Sequence, residues 1–270
     1  MIWLLVDIGN TRIKWARLVD GRMGKQRAAA NSGWKSQEYA RRVIGKWAHP
    51  GGRIIVASVA GEQVNRYLIA AARRQGAPVP EFVASRRSAA GIQTQYLDPW
   101  RLGVDRFVGA IGAYHLASGQ PVCVVNVGTA MTLDLVDGSG RHRGGAIVPG
   151  PALMVKSLLT QTSGIRRRAR GGPSGMTGLF ARTTRTAIGQ GALYAAAAIV
   201  DRAIEEARIL LGSVPLVLLT GGGATAIKPL LRNTAVRLPD LVLHGLAVWA
   251  RQTPPVVRVR RMARKRRQLD

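Results

Sequence analysis

The chain has 270 residues, 47% of them hydrophobic, and a single cysteine. That is enough apolar material for two domains, and it excludes a disulfide-stapled miniprotein and a natively unfolded chain. The formal net charge is +26, but lysine supplies only 7 of the 40 basic residues, and the arginines are spread along the sequence with concentrations at 166–170 and 258–267. This distribution reads as compositional bias and solvated faces rather than a nucleic-acid footprint, although the basic tail does not exclude one.

The opening stretch, Leu4-Leu-Val-Asp-Ile-Gly-Asn-Thr-Arg-Ile-Lys14, reads as a buried strand that stops at Asp7, turns through Gly9 and Asn10, and returns as a second strand bearing Lys14. Backbone N–H groups and a lysine can face phosphate oxygens there, while a carboxylate holds a hydrated metal. Residues 25–30 extend the pair into a meander. Helical spacing of Tyr39, Val43, Ile44 and Trp47 predicts a helix over 36–47. A β-branched strand (53–59), a helix (63–74) and a short strand near 82–85 complete an α/β layer, and 88–103 lacks periodicity and is expected to be a loop. A helix follows over 104–116, with Asp105 and Arg106 in its first turn. A capping role at the helix N-terminus would by itself account for such an aspartate.

The second half repeats the opening theme. Val124-Val-Asn-Val-Gly128 and Leu135-Val-Asp-Gly138 echo Leu4 to Gly9 and Leu18 to Gly21, which suggests an internal duplication. Strands over 122–127, 131–136 and 143–148 lead through Pro149-Gly-Pro to a helix (152–159) and then to a glycine- and arginine-rich loop over 161–178. The alanine-rich stretch 184–211 predicts a closely packed helix and a candidate packing surface. A strand (216–220) then enters the triple glycine 221–223, and 241–249 is the last predicted helix. The expected division is 1–117, 118–252 and a disordered basic tail, 253–270. The apolar run 192–200 is too short to span a bilayer, and the opening residues lack the pattern of a secretory signal, so a cytoplasmic protein without membrane contact is expected. The four histidines show no metal spacing and read as structural or surface residues.

Three glycine turns leave apolar strand ends, at 7–14, 126–132 and 220–224. None fits the Walker pattern or the dinucleotide fingerprint, which points to a different nucleotide binder: two α/β domains gripping phosphates with one hairpin each.

Taken together, Asp7-Ile-Gly-Asn-Thr11, Tyr96 with Leu102-Gly-Val-Asp-Arg106, Val125 to Thr132, Gly144-Gly-Ala-Ile-Val-Pro-Gly150, Thr184 with Ala187-Ile188, Leu219-Thr-Gly-Gly222 and Pro239 to Leu246 resemble, in order, the motifs of the type III pantothenate kinases. These belong to the actin, hexokinase and heat-shock ATPase superfamily, so the resemblance implies two ribonuclease H-like domains with a nucleotide cleft between them. It implies ATP-dependent phosphorylation of pantothenate, the first step towards coenzyme A, by a homodimer whose pantothenate site is near the interface. By the same resemblance Asp105 is the general base, and Tyr96, Gly103, Val104, Asp105, Arg106 and Thr184 contact pantothenate, with Arg106 facing its carboxylate. Asp7, Ile8, Gly9, Asn10, Thr11, Arg12, Ile13, Lys14 and Thr129 bind ATP, and Asp7 organises Mg2+ through water. A monovalent cation, K+ or NH4+, falls to Asn126. Many family members carry aspartate there, so binding at Asn126 is expected to be weaker, rearranged or shifted to ammonium. Gly223 likewise stands where an aspartate is common. A second reading comes from relatives described as Bvg accessory factors for transcription: a non-catalytic protein of the same fold that binds DNA or an acidic partner.

Overall fold

The computed structural model describes residues 1–47, 49, 51–169 and 178–253. The tail expected to be disordered therefore lies, from 254 onward, outside the described residues.

The first sheet grows from β1 (Ile2–Ile8), whose Leu4, Leu5 and Val6 are all essentially buried, as befits a central strand covered on both faces. Removing each such side chain from water contributes roughly 1.5–3 kcal/mol. β1 pairs antiparallel with β2 (Arg12–Val19), which pairs in turn with β3 (Arg22–Met23) and β4 (Arg27–Ala30). On its other side β1 runs parallel to β5 (Arg53–Ser58), and β5 to β6 (Glu81–Phe82). Between them lie α1 (Ser36–Tyr39) and α2 (Glu62–Arg74). The helix expected over 36–47 is instead one α-turn followed by a π-helical turn, Ala40–Ile44, closed by Gly45 at φ +64°. The wider turn still buries Tyr39, Ala40, Val43 and Ile44, so the apolar spacing was informative about burial although not about helix type.

The region read as a featureless loop contains β7 (Ser88–Ala89), β8 (Ile92–Thr94) and a 3-10 turn, Pro99–Arg101. Its strands are too short to show a period, and β8 pairs with a distant partner. α3 (Val104–Leu116) leads into β9 (Val122–Val127), β10 (Ala130–Val136) and β11 (Arg141–Pro149), then α4 (Pro151–Gln161) and α5 (Ser163–Arg168), the latter a helix inside the expected loop. α6 (Thr184–Leu211) starts on a Thr183 cap, whose hydroxyl accepts from the Thr186 N–H, and ends at Gly212 in the left-handed region at φ +71°. β12 (Leu216–Thr220), α7 (Ala224–Ile227), β13 (Ala235–Arg237) and α8 (Leu241–Gln252) complete the described chain.

The second sheet is ordered β13-β12-β9-β10-β11-β8-β7. Its β13-β12-β9-β10-β11 portion repeats β6-β5-β1-β2-β4 strand for strand. In both, the central strand has an antiparallel hairpin partner on one side and a parallel strand on the other, and each end strand keeps the corresponding sense. The duplication heard in the two hairpins is thus a duplication of sheet topology, two ribonuclease H-like units in an α/β protein. The units interlock beyond any single cut in sequence. β7 and β8, from within 1–117, join the second sheet, while α8, near the C-terminus, packs on β1 and β5 of the first.

The layers explain the burial. One face of the first sheet buries Leu4, Val6, Ile8, Ile13 and Val56 against α1, the π-turn and α2. Leu5, Ala16 and Ile55 on its other face share a core with α3, α8 and Val122, Val124 and Val136 of the second sheet. The far face of that second sheet packs on α6 through Val125, Val127, Met131 and Leu133. In the shared middle layer, α3 and α8 cross at Gly112 and Gly245. A Cβ on Gly112 would lie 2.8 Å from the Gly245 nitrogen, and one on Gly245 would lie 1.9 Å from the Val108 carbonyl oxygen.

Candidate active site

The two sheets present corresponding turns to one another. The β1–β2 turn is closed by Gly9 N–H donating to the Arg12 carbonyl at 2.9 Å, and the β9–β10 turn by Gly128 N–H donating to Ala130 at 3.1 Å. Together with the β12–α7 turn they line a cavity of about 180 Å³ that includes Asp7, Gly9 to Arg12, Lys14, Asp105, Asn126, Thr129, Thr132 and Thr220 to Gly222. It continues past Thr11, Arg12, Gly128, Thr129 and Gly222 into a more apolar space of about 460 Å³, walled by Val127, Pro151, Leu153, Leu193 and Ala226, with Lys156 at its side. A polar, glycine-edged pocket opening into an apolar one suits a polyphosphate attached to an aromatic base.

Close backbone approaches build this cleft. Gly221 (φ +88°) lies against Asn126, where a Cβ would come within 2.6 Å of Oδ1. Gly150 N–H donates to Thr129 at 2.9 Å and starts α4 beside the β9–β10 turn, so Pro149-Gly-Pro151 clamps the second hairpin as well as beginning a helix.

Of the residues the sequence nominated, Asp7, Gly9, Asn10, Thr11, Arg12, Lys14, Asp105, Asn126 and Thr129 all line the cleft. Ile8 and Ile13 are fully buried in the adjoining core, and only their backbone is available to a ligand. Asp7 and Lys14 are direct cross-strand partners, and the Lys14 ammonium donates to the Pro239 carbonyl at 3.3 Å. Burial pushes the Asp7 carboxyl up to about 6; nearby Lys14 opposes the rise and the negative charge of Asp105 adds to it. Burial also raises Asp105, with Asp134 adding to the rise, against N–H donation from Arg106 and the Arg106 charge. Two carboxylates whose fields reach one another therefore face a common space.

Gly103, Val104 and Arg106 flank Asp105 in sequence and Tyr96 adjoins Arg106, and none of the four lines that cavity. Gly103 is the N-cap of α3, and Arg106 is buried, bound in a fork to Asp134 and donating through Nη1 to the Tyr96 hydroxyl at 2.9 Å. Thr184, at the start of α6, lines neither cavity.

Sequence reasoning placed Thr132 and Thr220 inside the turns 126–132 and 220–224 without giving either a role of its own, and gave His142 no partner. Thr132 and Thr220 flank Asn126 on the neighbouring strands, in register with it, and the Thr220 hydroxyl is buried without a hydrogen-bond partner among the described residues. His142, read as structural or surface, is fully buried and donates through Nε2 to Asp134 at 2.7 Å. The signals were present for the threonines, one facing Asn126 across a hairpin and the other ending a strand. For His142 there was none, because a bulge in β11 determines which way it points.

The family model for type III pantothenate kinases matches residues 3–206. A type III pantothenate kinase of Nitrosococcus oceani is 38% identical over 94% of this chain and 96% of its own length. Among solved structures, the activator of 2-hydroxyisocaproyl-CoA dehydratase from Clostridium difficile, with bound ADPNP, superposes with a TM-score of 0.51 at 12% identity, covering 93% of this chain and 94% of its own. MreB 5 of Spiroplasma citri, bound to AMPPNP, does so with a TM-score of 0.50 at 10% identity, over 93% and 96%. At those identities the two structures speak only to the actin-like ATPase fold. With two interlocked ribonuclease H-like units, a cleft between their turns and relatives alike over nearly its whole length, the chain belongs to the type III pantothenate kinase family.

Proposed function

We propose that this chain transfers the γ-phosphoryl group of ATP to the primary hydroxyl of pantothenate, giving 4'-phosphopantothenate on the way to coenzyme A, and that it does so in the cytoplasm as a homodimer. The observation that carries the mechanism is the placement of Asp105 beside the two phosphate turns in one cleft. Phosphoryl transfer asks a protein mainly to position the reactants and to offset developing charge.

The Gly9–Arg12 and Gly128–Thr129 backbones and Lys14 would hold the phosphates, and the apolar space beyond would take the base. Asp105, its proton affinity raised by burial, accepts the hydroxyl proton of the acceptor as the oxygen attacks phosphorus. Arg106 and Tyr96, joined behind it, face the acceptor's carboxylate end. Asp7 fits a magnesium ion through water, since its carboxylate is set into the cleft wall beside the phosphate turn. When bound there, such an ion would supply charge neutralisation on the phosphates. A monovalent cation has neutral oxygen donors available at Asn126, Thr132 and Thr220. Because Thr184 lies outside the cleft of its own chain, its expected contact with pantothenate calls for a second copy.

The test is direct. Purified protein is incubated with ATP, Mg2+, pantothenate and either K+ or NH4+, and 4'-phosphopantothenate is measured by mass spectrometry. Folded protein that makes none would overturn the reading.

A further inference from the structure

Arg106 sits on α3 next to Asp105, yet only 7% of it is exposed and its fork is already bound to an aspartate. Buried arginine–carboxylate pairs seldom add net stability, because desolvation offsets their attraction, so this one calls for another explanation. Three local features converge on it. Asp134 lies opposite Gly145 in the β10–β11 register, where a Cβ would come 2.6 Å from Arg106 Nη2 and 2.7 Å from Asp134 Oδ1; the missing side chain makes room for the fork. The register then slips between Leu135 and Val136, with Gly144 at φ +117°, so that His142 rather than its neighbour falls on Asp134's face of the sheet. Finally, the His142 ring is wholly enclosed; Nε2 donates to Asp134 Oδ1 at 2.7 Å, while Nδ1 has no polar partner among the described residues.

Asp134 thus receives Arg106 Nε and Nη2, at 3.0 and 2.7 Å, together with His142 Nε2. The remaining nitrogen, Nη1, points to Tyr96. The Tyr96 ring lies 5.6 Å from the guanidinium and 5.8 Å from the His142 ring, and its loop is tied down by Arg87, which donates to the Thr94, Tyr96 and Leu97 carbonyls.

We propose that His142 and Asp134 are positioning residues, which hold Arg106, and with it the Tyr96 hydroxyl, in one orientation towards the acceptor substrate. The proposal rests on the assignment of Arg106 and Tyr96 to the acceptor made above. A guanidinium fixed before binding loses less rotamer freedom when the substrate arrives, so the arrangement acts on acceptor affinity and leaves the ATP turns alone.

The test compares His142→Leu, which removes the donor, with His142→Gln, whose amide can still reach Asp134. In the Leu variant, KM for pantothenate rises about 10-fold or more, while kcat stays within about threefold and KM for ATP within about twofold. The Gln variant recovers most of the loss. If the Leu variant does not fold, His142→Asn, polar but too short to reach Asp134, takes its place with the same expectation. Nitrogen-15 NMR of the Arg106 Nε–H, assigned by its disappearance in Arg106→Lys, gives a readout independent of turnover: a sharp, exchange-protected signal in the native protein, broadened in the Leu or Asn variant and restored in the Gln variant. A folded variant lacking the donor with unchanged pantothenate KM, or one whose KM for both substrates rises together, would overturn the proposal. If the native protein phosphorylates no pantothenate, the functional reading fails while the NMR comparison still decides whether His142 fixes Arg106; an unchanged signal there overturns the positioning role.

Discussion

The β1–β2 and β9–β10 turns of the cleft are built on the same strand plan but carry different electrostatics. The first pairs a carboxylate with a lysine directly across its hairpin, Asp7 against Lys14. The second offers only neutral groups at the corresponding place: Asn126 between Thr132 and Thr220. The same backbone plan thus carries a carboxylate and an ammonium at one turn and uncharged oxygens with backbone N–H groups at the other. Asp105 belongs to neither turn; it enters from the middle layer.

If that division holds, Asp105→Asn leaves both turns intact and abolishes proton acceptance. Turnover falls about 10²–10⁴-fold while nucleotide binding, followed by fluorescence or calorimetry, stays within a few-fold. Near-normal turnover would show that the carboxylate is only a helix cap.

Asp7→Asn should cost less in activity, about 10–100-fold at limiting magnesium and less when magnesium is raised, because it removes one anchor for the ion and leaves the turn's N–H groups in place. A loss insensitive to magnesium would remove the divalent role from the first turn.

The same residue predicts a pH dependence of stability in the absence of nucleotide. The Asp7 carboxyl is raised from 3.8 to about 6 in the folded protein. The folded state therefore binds the proton more tightly than the unfolded one. The resulting stabilisation is fully present below 3.8 and is lost as pH rises through about 6. At neutral pH the ionised carboxylate costs up to ~3 kcal/mol, so Asp7→Asn should melt higher than the native protein at pH 7.5, with the difference shrinking as pH falls from 6 towards 4. Equal melting temperatures at both ends of that range would mean the carboxylate is well solvated.

The smallest effect is expected at the second turn. Asn126→Asp restores a full charge between two threonine hydroxyls, and activation by K+ should strengthen by about several-fold at subsaturating cation, since a carboxylate binds a cation better than an amide oxygen does. An unchanged potassium titration would place the cation elsewhere.

Much of this was legible in the residues because strand and turn chemistry is local. Leu4 to Gly9 and Val124 to Gly128 announced two buried strands ending in turns that line one cleft, and the helix bearing Asp105 and Arg106 began at its expected place. The remainder depended on distant pairing. No period in residues 88–94 could show that they would join a sheet formed mostly by residues beyond 120. The wide turn at Ala40–Ile44 has the apolar spacing of an ordinary helix. That Arg106 would be bound in a fork by Asp134, twenty-eight positions away, had no local sign, and His142 reaches Asp134 only because β11 carries an extra residue.

The crossing of α3 and α8 at Gly112 and Gly245 has a consequence for motion. With main chain seated on main chain at that crossing, neither helix can slide past the other without one backbone climbing over its neighbour. Asp105, seven residues before Gly112 on α3, is thereby carried by a helix anchored at the tightest crossing of the middle layer.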